Sequence, residues 1–135
     1  MEKLIWDETF SVGVELLDEQ HKKLIKMLNT MIEAPGTDVG SEIVSTVLTQ
    51  MQEYTAEHFS LEEEYMIKYG YVNYDQHKAE HKQYLKRMAM LCVETMQQKK
   101  AVPTEILEFL NSWWVKHILK TDMQYKTLFN SMGLK

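Results

Sequence analysis

Apolar residues recur along this chain at three- and four-residue intervals in four separate stretches, the spacing that lines one face of a helix. The first runs His21, Leu24, Ile25, Leu28, Met31 and Ile32, with Asp18 placed to cap it and Pro35 and Gly36 to stop it. The second is expected to open at Ser41 and Glu42, after Gly40. It carries Val44, Val47, Met51, Tyr54, His58, Leu61, Glu62 and Tyr65 inward before Gly70 closes it. The third follows Asn73 with Tyr74, His77, His81, Tyr84, Met88, Leu91, Cys92 and Thr95, and ends in the polar run 97–100. The fourth starts at Pro103 or Thr104 and carries Ile106, Leu110, Trp113 and His117. Residues 1–17 have no long helical period, and Trp6, Phe10, Val12 and Val14 suggest an extended arm lying over apolar surface. Four amphipathic helices joined by short loops predict an all-α fold: an up-down-up-down antiparallel four-helix bundle with an extended N-terminal arm, residues 1–135 forming one domain.

Composition narrows the function. A formal net charge of -5 argues against nucleic acid, whose affinity comes mainly from Lys and Arg on phosphates. A single cysteine, Cys92, rules out an intrachain disulfide, and its core position reads as an apolar filler. No apolar run approaches the roughly 20 residues of a membrane span, and the start MEKLIWDETF lacks the apolar segment of a signal peptide. A cytoplasmic monomer is expected. The methionine count of 10 is high, but Met31, Met51 and Met88 fall on core stripes and read as packing.

The chemistry is concentrated in five histidines. His21, His58, His77, His81 and His117 all lie on the apolar stripe of their helix, and none is left for a surface face. A lone histidine there is ordinarily a hydrogen-bonded core residue. Five are a different matter, because a bundle core has few partners for polar rings and each unpaired one costs about 1–3 kcal/mol. A shared metal accounts for the whole set, since imidazole nitrogen suits iron, zinc, copper and nickel.

Spacing also selects the acids. His58 and Glu62 are four apart, as are His77 and His81, so each pair stacks on one helix face and can offer two donor atoms to one ion. Glu63 and Glu64 are expected to point away into solvent. Asp122 lies five positions after His117, about 140° away on a straight helix. It faces the same centre only if the helix kinks or bulges near Thr121. By spacing alone it is equally a surface acid.

The segments DEQH (18–21), HFSLEEEYM (58–66), HKAEH (77–81) and HILKTD (117–122), with the opening WDETFSVGVELLDEQH, resemble the hemerythrin family over essentially the whole chain, and most nearly its bacterial single-domain members. The resemblance implies two non-haem iron ions with an oxo or hydroxo bridge. His77, His81 and His117 would hold one iron, His21 and His58 the other, and Glu62 and Asp122 would bridge them. Three histidines then complete six-coordination at one iron, and two leave the other with an open position for O2. By spacing alone, Tyr125, three residues after Asp122, could reach the bridge or serve only as packing.

The same resemblance lines the O2 pocket with Leu24, Phe59, Trp113, Trp114 and Ile118, an apolar wall that would keep water and anions from the iron. Where Trp114 stands the family commonly has Leu, which puts a bulky ring at the pocket mouth. Its indole N–H would need a partner, either a water or the bound ligand. The implied function is reversible O2 binding for carriage, storage or delivery, with O2 itself and an unidentified protein acceptor as partners. The alternatives are a sensing module acting through a partner, and a diiron peroxidase or nitric-oxide-consuming enzyme. Carboxylate-rich diiron oxidases use Glu-x-x-His on two helices. Here Asp18, Thr55, Tyr74, Lys78 and Trp114 precede the histidines by three, and none is Glu, so a binding protein is expected rather than an enzyme.

Overall fold

The computed structural model describes residues 2–33, 42–96 and 102–135. A short 3-10 turn at Glu8–Phe10 leads into α1 (Glu15–Glu33), α2 (Glu42–Lys68), α3 (Tyr74–Met96) and α4 (Val102–Lys116). The fourth rod does not end there. It continues through a π-helical segment, His117–Asp122, into α5 (Met123–Ser131). Among the described residues there is no strand, and no helix is long and apolar enough to cross a membrane.

Side-chain contacts fix the helix directions. Lys23 lies over Tyr54 while Gln20 bonds His58, so α1 and α2 run in opposite senses. Glu63 meets His81 and Gln52 approaches Tyr84, which makes α2 and α3 antiparallel. Glu80 meets Thr121 while Tyr84 packs on Phe109, so α3 opposes the last rod. The expected up-down-up-down bundle follows, with α1 also touching α4 to close the ring.

Gly70 shows how the sequence turns the chain between α2 and α3. At φ +66 it adopts a conformation that costs glycine nothing. Its N–H donates to the Ile67 carbonyl (3.2 Å), and the Tyr71 N–H donates to the Met66 carbonyl (2.9 Å). That hydrogen-bond pair terminates many helices, and buried Tyr71 and Met66 supply the apolar contact that accompanies it.

Two apolar clusters fill the bundle. One holds Leu24, Ile25, Leu28, Met31, Met51, Phe59, Tyr84, Met88, Leu110 and Trp114. The other gathers Val12, Val14 and Leu17 against Met66, Tyr71, Tyr125 and Phe129. His21, His58, Glu62, His77, His81, His117 and Asp122 are buried as well. On every helix they fall between residues of the first cluster and residues of the second, so the bundle carries one polar layer inside an apolar interior.

The start of α1 differs from expectation. The helix begins at Glu15, so Asp18 lies inside its first turn and is not its cap. Its carboxylate turns back to accept from Ser11 Oγ (2.6 Å) and the Val12 N–H (2.8 Å), fastening the arm to the bundle. Asn29 holds the beginning of the arm with two 2.8 Å bonds to the Leu4 backbone. The fourth helix starts at Val102, a residue earlier than the Pro103 signal, which puts Pro103 in the first turn, where its missing N–H costs nothing. Pro35, Gly36, Gly40, Ser41 and the run 97–100 lie outside the described residues, as do the side chains of Val44, Cys92 and Thr95.

Asp18→Ala removes a charged acceptor from two arm hydrogen bonds. It is expected to destabilise the protein by about 1–3 kcal/mol and to expose residues 2–14 to limited proteolysis. Denaturant unfolding and mapping of the cleavage sites check this, and an unchanged midpoint would show that the Asp18 bonds do not hold the arm.

Candidate metal centre

The five histidines arrive at one place from four helices. His21 comes from α1, His58 and Glu62 from α2, His77 and His81 from α3, and His117 opens the π segment that Asp122 ends. All seven side chains are at most 1% exposed. The i, i+4 pairs 58/62 and 77/81 stand on their helices as the spacing requires.

The last rod supplies what a straight helix could not. Across His117–Asp122 the winding loosens to the pattern in which residue i pairs with i+5. Residues five apart then share a face. Asp122 Oδ1 lies 3.0 Å from both His117 Nε2 and His77 Nε2, and Asp122 Oδ2 lies 3.0 Å from His21 Nε2. The bulge anticipated near Thr121 spans six residues.

Two overlapping groups of donor atoms result. Glu62, His77, His81, His117 and Asp122 form one, and His21, His58, Glu62 and Asp122 the other. Within each group the atoms lie within 4.8 Å of one another, so a single ion could touch them all. Glu62 and Asp122 belong to both. The remaining donors divide as three histidines against two.

Hydrogen bonds around the rim decide which ring nitrogen faces inward. His81 Nδ1 is 2.9 Å from Glu63 Oε2, His117 Nδ1 is 3.3 Å from Glu80 Oε1, and His58 Nδ1 is 2.7 Å from Gln20 Oε1. Carboxylate and amide oxygens only accept, so each of these Nδ1 atoms carries the proton and leaves the Nε2 lone pair facing inward. Glu63 is therefore not the solvated acid that the sequence suggested. It is half-buried and holds a ring, and only Glu64 is exposed. Glu80 and Gln20 carried no sequence signal, because side chains on flanking helix faces look like ordinary surface residues until the neighbouring helix is in place.

The inward atoms have no adequate partners of their own. His81 Nε2 and His117 Nε2 approach to 3.1 Å with both lone pairs directed at the same point. Among the described residues, buried His21 Nε2, His58 Nε2, His77 Nε2, Glu62 Oε1 and both Asp122 oxygens lack a hydrogen-bond partner. Converging lone pairs of this kind call for cations between them, and a nitrogen-rich set with two carboxylates suits iron or another first-row metal. The residues fit bound metal.

Charge follows the same geometry. Burial works to lower the pKa of His21, but the carboxylates of Asp122 and Glu62 beside it outweigh burial and push it up to about 9. His77 rises against burial to about 10 through the same two acids. Burial dominates at His58 and takes it down to about 3. Glu62 stays well below the usual carboxylate range despite burial, held there by the imidazoles of His58, His21, His77 and His81 that surround it. Burial, Asp122 and Glu62 push the Tyr125 phenol well above its ordinary value. It therefore stays protonated and donates to Glu62 Oε2 at 2.5 Å.

Aromatic rings wall the centre. Phe59 stacks on His81 with centroids 3.7 Å apart, Trp113 on His117 at 4.2 Å, and Tyr125 on His77 at 5.6 Å. Leu24, Phe59, Trp114 and Ile118 are buried in one cluster, with Trp113 half-buried against it. Trp114 is the tryptophan 6.1 Å from His58, whereas Trp113 covers the three-histidine side. The Trp114 indole N–H donates to Tyr84 Oη at 3.3 Å, so its partner is a tyrosine of α3 and neither a water nor a bound ligand.

A four-helix bundle whose core presents five histidines and two shared carboxylates defines a histidine-rich, non-haem metal-binding class. Comparison with known proteins agrees. Residues 12–129 match the family model described as the hemerythrin HHE cation binding domain. The chain is 31% identical over 125 residues to a bacteriohemerythrin of Stenotrophomonas maltophilia (strain R551-3), covering 93% of this chain and 80% of that one. It is 35% identical over 122 residues to a myohemerythrin of Theromyzon tessulatum, covering 90% and 89%. A crystal structure of wild-type hemerythrin superposes with a TM-score of 0.82 at 29% identity, covering 94% of this chain and 98% of that one. The chain belongs to the hemerythrin family.

The pKa directions give a signed expectation for protein stripped of metal. His58, lowered on folding, adds stability as pH rises to 6.5. His21 and His77, raised on folding, contribute fully below 6.5 and lose their contribution as pH climbs through about 9 and about 10. Urea midpoints should therefore peak near pH 6.5 and fall toward pH 10. Metal-loaded protein should lack the alkaline fall, because the ions replace those protons. A flat profile for the stripped protein would show that His21 and His77 are not protonated there.

Proposed function

We propose that this chain binds O2 reversibly at two non-haem iron ions joined by an oxo or hydroxo bridge, for O2 carriage, storage or delivery. The observation that carries the reading is the pair of donor groups that share Glu62 and Asp122 and differ by one histidine. His77, His81 and His117 would hold one iron, and His21 and His58 the other, with Glu62 and Asp122 bridging. The two-histidine side has one protein ligand fewer and is where O2 would bind. When bound, a ferrous pair supplies two electrons that O2 can take up and return.

The chain's own residues set the conditions for reversibility. Leu24, Phe59, Trp114 and Ile118 are buried and offer an apolar wall, which excludes water and anions that would compete for the open side. Tyr125 fixes one oxygen of Glu62 by donating to it, so the carboxylate keeps one orientation. Gln20, Glu63 and Glu80 orient three of the imidazoles. No Glu-x-x-His pair is present in the chain, which favours a carrier over an oxidase. The relatives named bacteriohemerythrin and myohemerythrin support the same reading.

Anaerobic reduction followed by addition and removal of O2, watched by visible absorption, tests the function. Repeated cycles between two spectra are expected, and irreversible oxidation on first exposure would overturn the reading. Elemental analysis should find two irons per chain, and Glu62→Ala should lose both, because it deletes a shared ligand. Two irons retained with normal O2 cycling in that variant would remove Glu62 from the centre.

Trp114 should set the rates. Its ring lies beside His58 and is pinned by Tyr84, so it occupies space that a Leu would leave open. Trp114→Leu is expected to speed O2 association and dissociation and to alter the rate of autoxidation. Stopped-flow measurements on both proteins check this, and identical rates would reduce Trp114 to packing.

A further inference from the structure

The π segment needs explaining, because α-helical winding at His117 would carry Asp122 out of the core. Something must hold the looser turn. Asp122 is oriented inward by its contacts with His21, His77 and His117 in the centre, but those act on the inner side of the segment only. On the outer side, Glu80 of α3 reaches across to the segment. Its Oε1 and Oε2 lie 2.9 and 3.0 Å from Thr121 Oγ1, and Oε1 lies 3.3 Å from His117 Nδ1. One carboxylate thus spans the bulge from its first residue to its fifth, next to Asp122.

We propose that Glu80 is a positioning residue that latches the π segment and, through Thr121, keeps Asp122 turned into the metal centre. The inference rests on the metal reading above but adds a different role from orienting an imidazole. If the bulge slips along the helix or winds up to α, every residue after it rotates, Thr121 and Asp122 first. The Thr121–Glu80 bonds break in that motion, so they oppose it directly. Glu80 acts from the adjoining helix, so it ties the bulge to α3 as well as tying its two ends together.

Glu80 is also well placed for a test. Its side chain is 42% exposed, beside a hollow of about 220 Å³ lined by Phe109, Ser112, Trp113, Lys116 and His117. Replacing it leaves no buried charge behind, and the fold should survive. Four proteins distinguish the roles: wild type, Glu80→Leu, Glu80→Gln and Thr121→Val. Thr121→Val removes the clamp on the bulge and leaves the His117–Glu80 contact in place. Gln keeps an oxygen that can accept from both Thr121 and His117.

The first measurement is amide hydrogen exchange of protein stripped of metal, which does not depend on iron. Glu80→Leu and Thr121→Val should both raise exchange at residues 117–125, with α1 and α2 unchanged, and Glu80→Gln should largely restore protection. The second is loss of iron to a chelator from loaded protein, which should quicken by about 10-fold to 100-fold in Glu80→Leu and Thr121→Val. Normal exchange and iron retention in Thr121→Val overturn the latch and leave Glu80 only orienting His117. Wild type that takes up no iron, while exchange responds as stated, sinks the metal reading and leaves the latch standing.

Discussion

Two carboxylates and five imidazoles share the interior of an apolar bundle, and that constraint organises the rest of the structure. A buried, unpaired carboxylate is among the most costly groups a protein can hold, and its neutralisation requires partners within a few ångströms. Here the partners are drawn from all four rods. Glu62 faces His21, His58, His77 and His81, and Asp122 faces His21, His77 and His117. Satisfying the two acids therefore ties four rods together at one level. Ions at that level would do so more strongly than protons, because one ion can touch every donor atom of a group at once.

The apolar clusters on either side give that layer its character. They keep water out, which strengthens every electrostatic interaction within and removes competitors for the ions. They also carry the rings that press on the imidazoles. Phe59 on His81 and Trp113 on His117 fix ring planes by packing, while Glu63 and Glu80 fix the same rings by hydrogen bonds. Both devices act on the three-histidine side. At the two-histidine side, the polar rim partner is the neutral amide of Gln20, on His58. The three-histidine side is thus held by packing and by charged hydrogen-bond partners together, and the two-histidine side by fewer of both.

Much of this was legible from residue order. Helical periodicity located four helices, and the placement of all five histidines on apolar stripes implied a common centre. Spacing of four paired His58 with Glu62 and His77 with His81, because two residues one turn apart must share a face. Gly70 marked the reversal between α2 and α3, because a positive φ there costs glycine less than any residue with a Cβ. These are local rules, and a sequence states them outright.

Tertiary structure decided what depends on a neighbouring helix. Asp122 was undetermined by periodicity, since a straight helix turns it away, and the π segment that brings it in is a local loss of regularity tied to contacts with α3. Asp18 has the right residue type for a cap, yet the helix starts earlier and the acid serves the arm, a choice made by where Ser11 and Val12 pass. Glu63 read as a solvated acid until His81 of the next helix stood beside it, and the partner of the Trp114 indole became known only when Tyr84 was opposite. The donor types, their faces and their order belong to the sequence, because they follow from repeat distances along one helix. The tautomers, the bulge and the outer partners belong to the fold, because each is set by an atom on another helix.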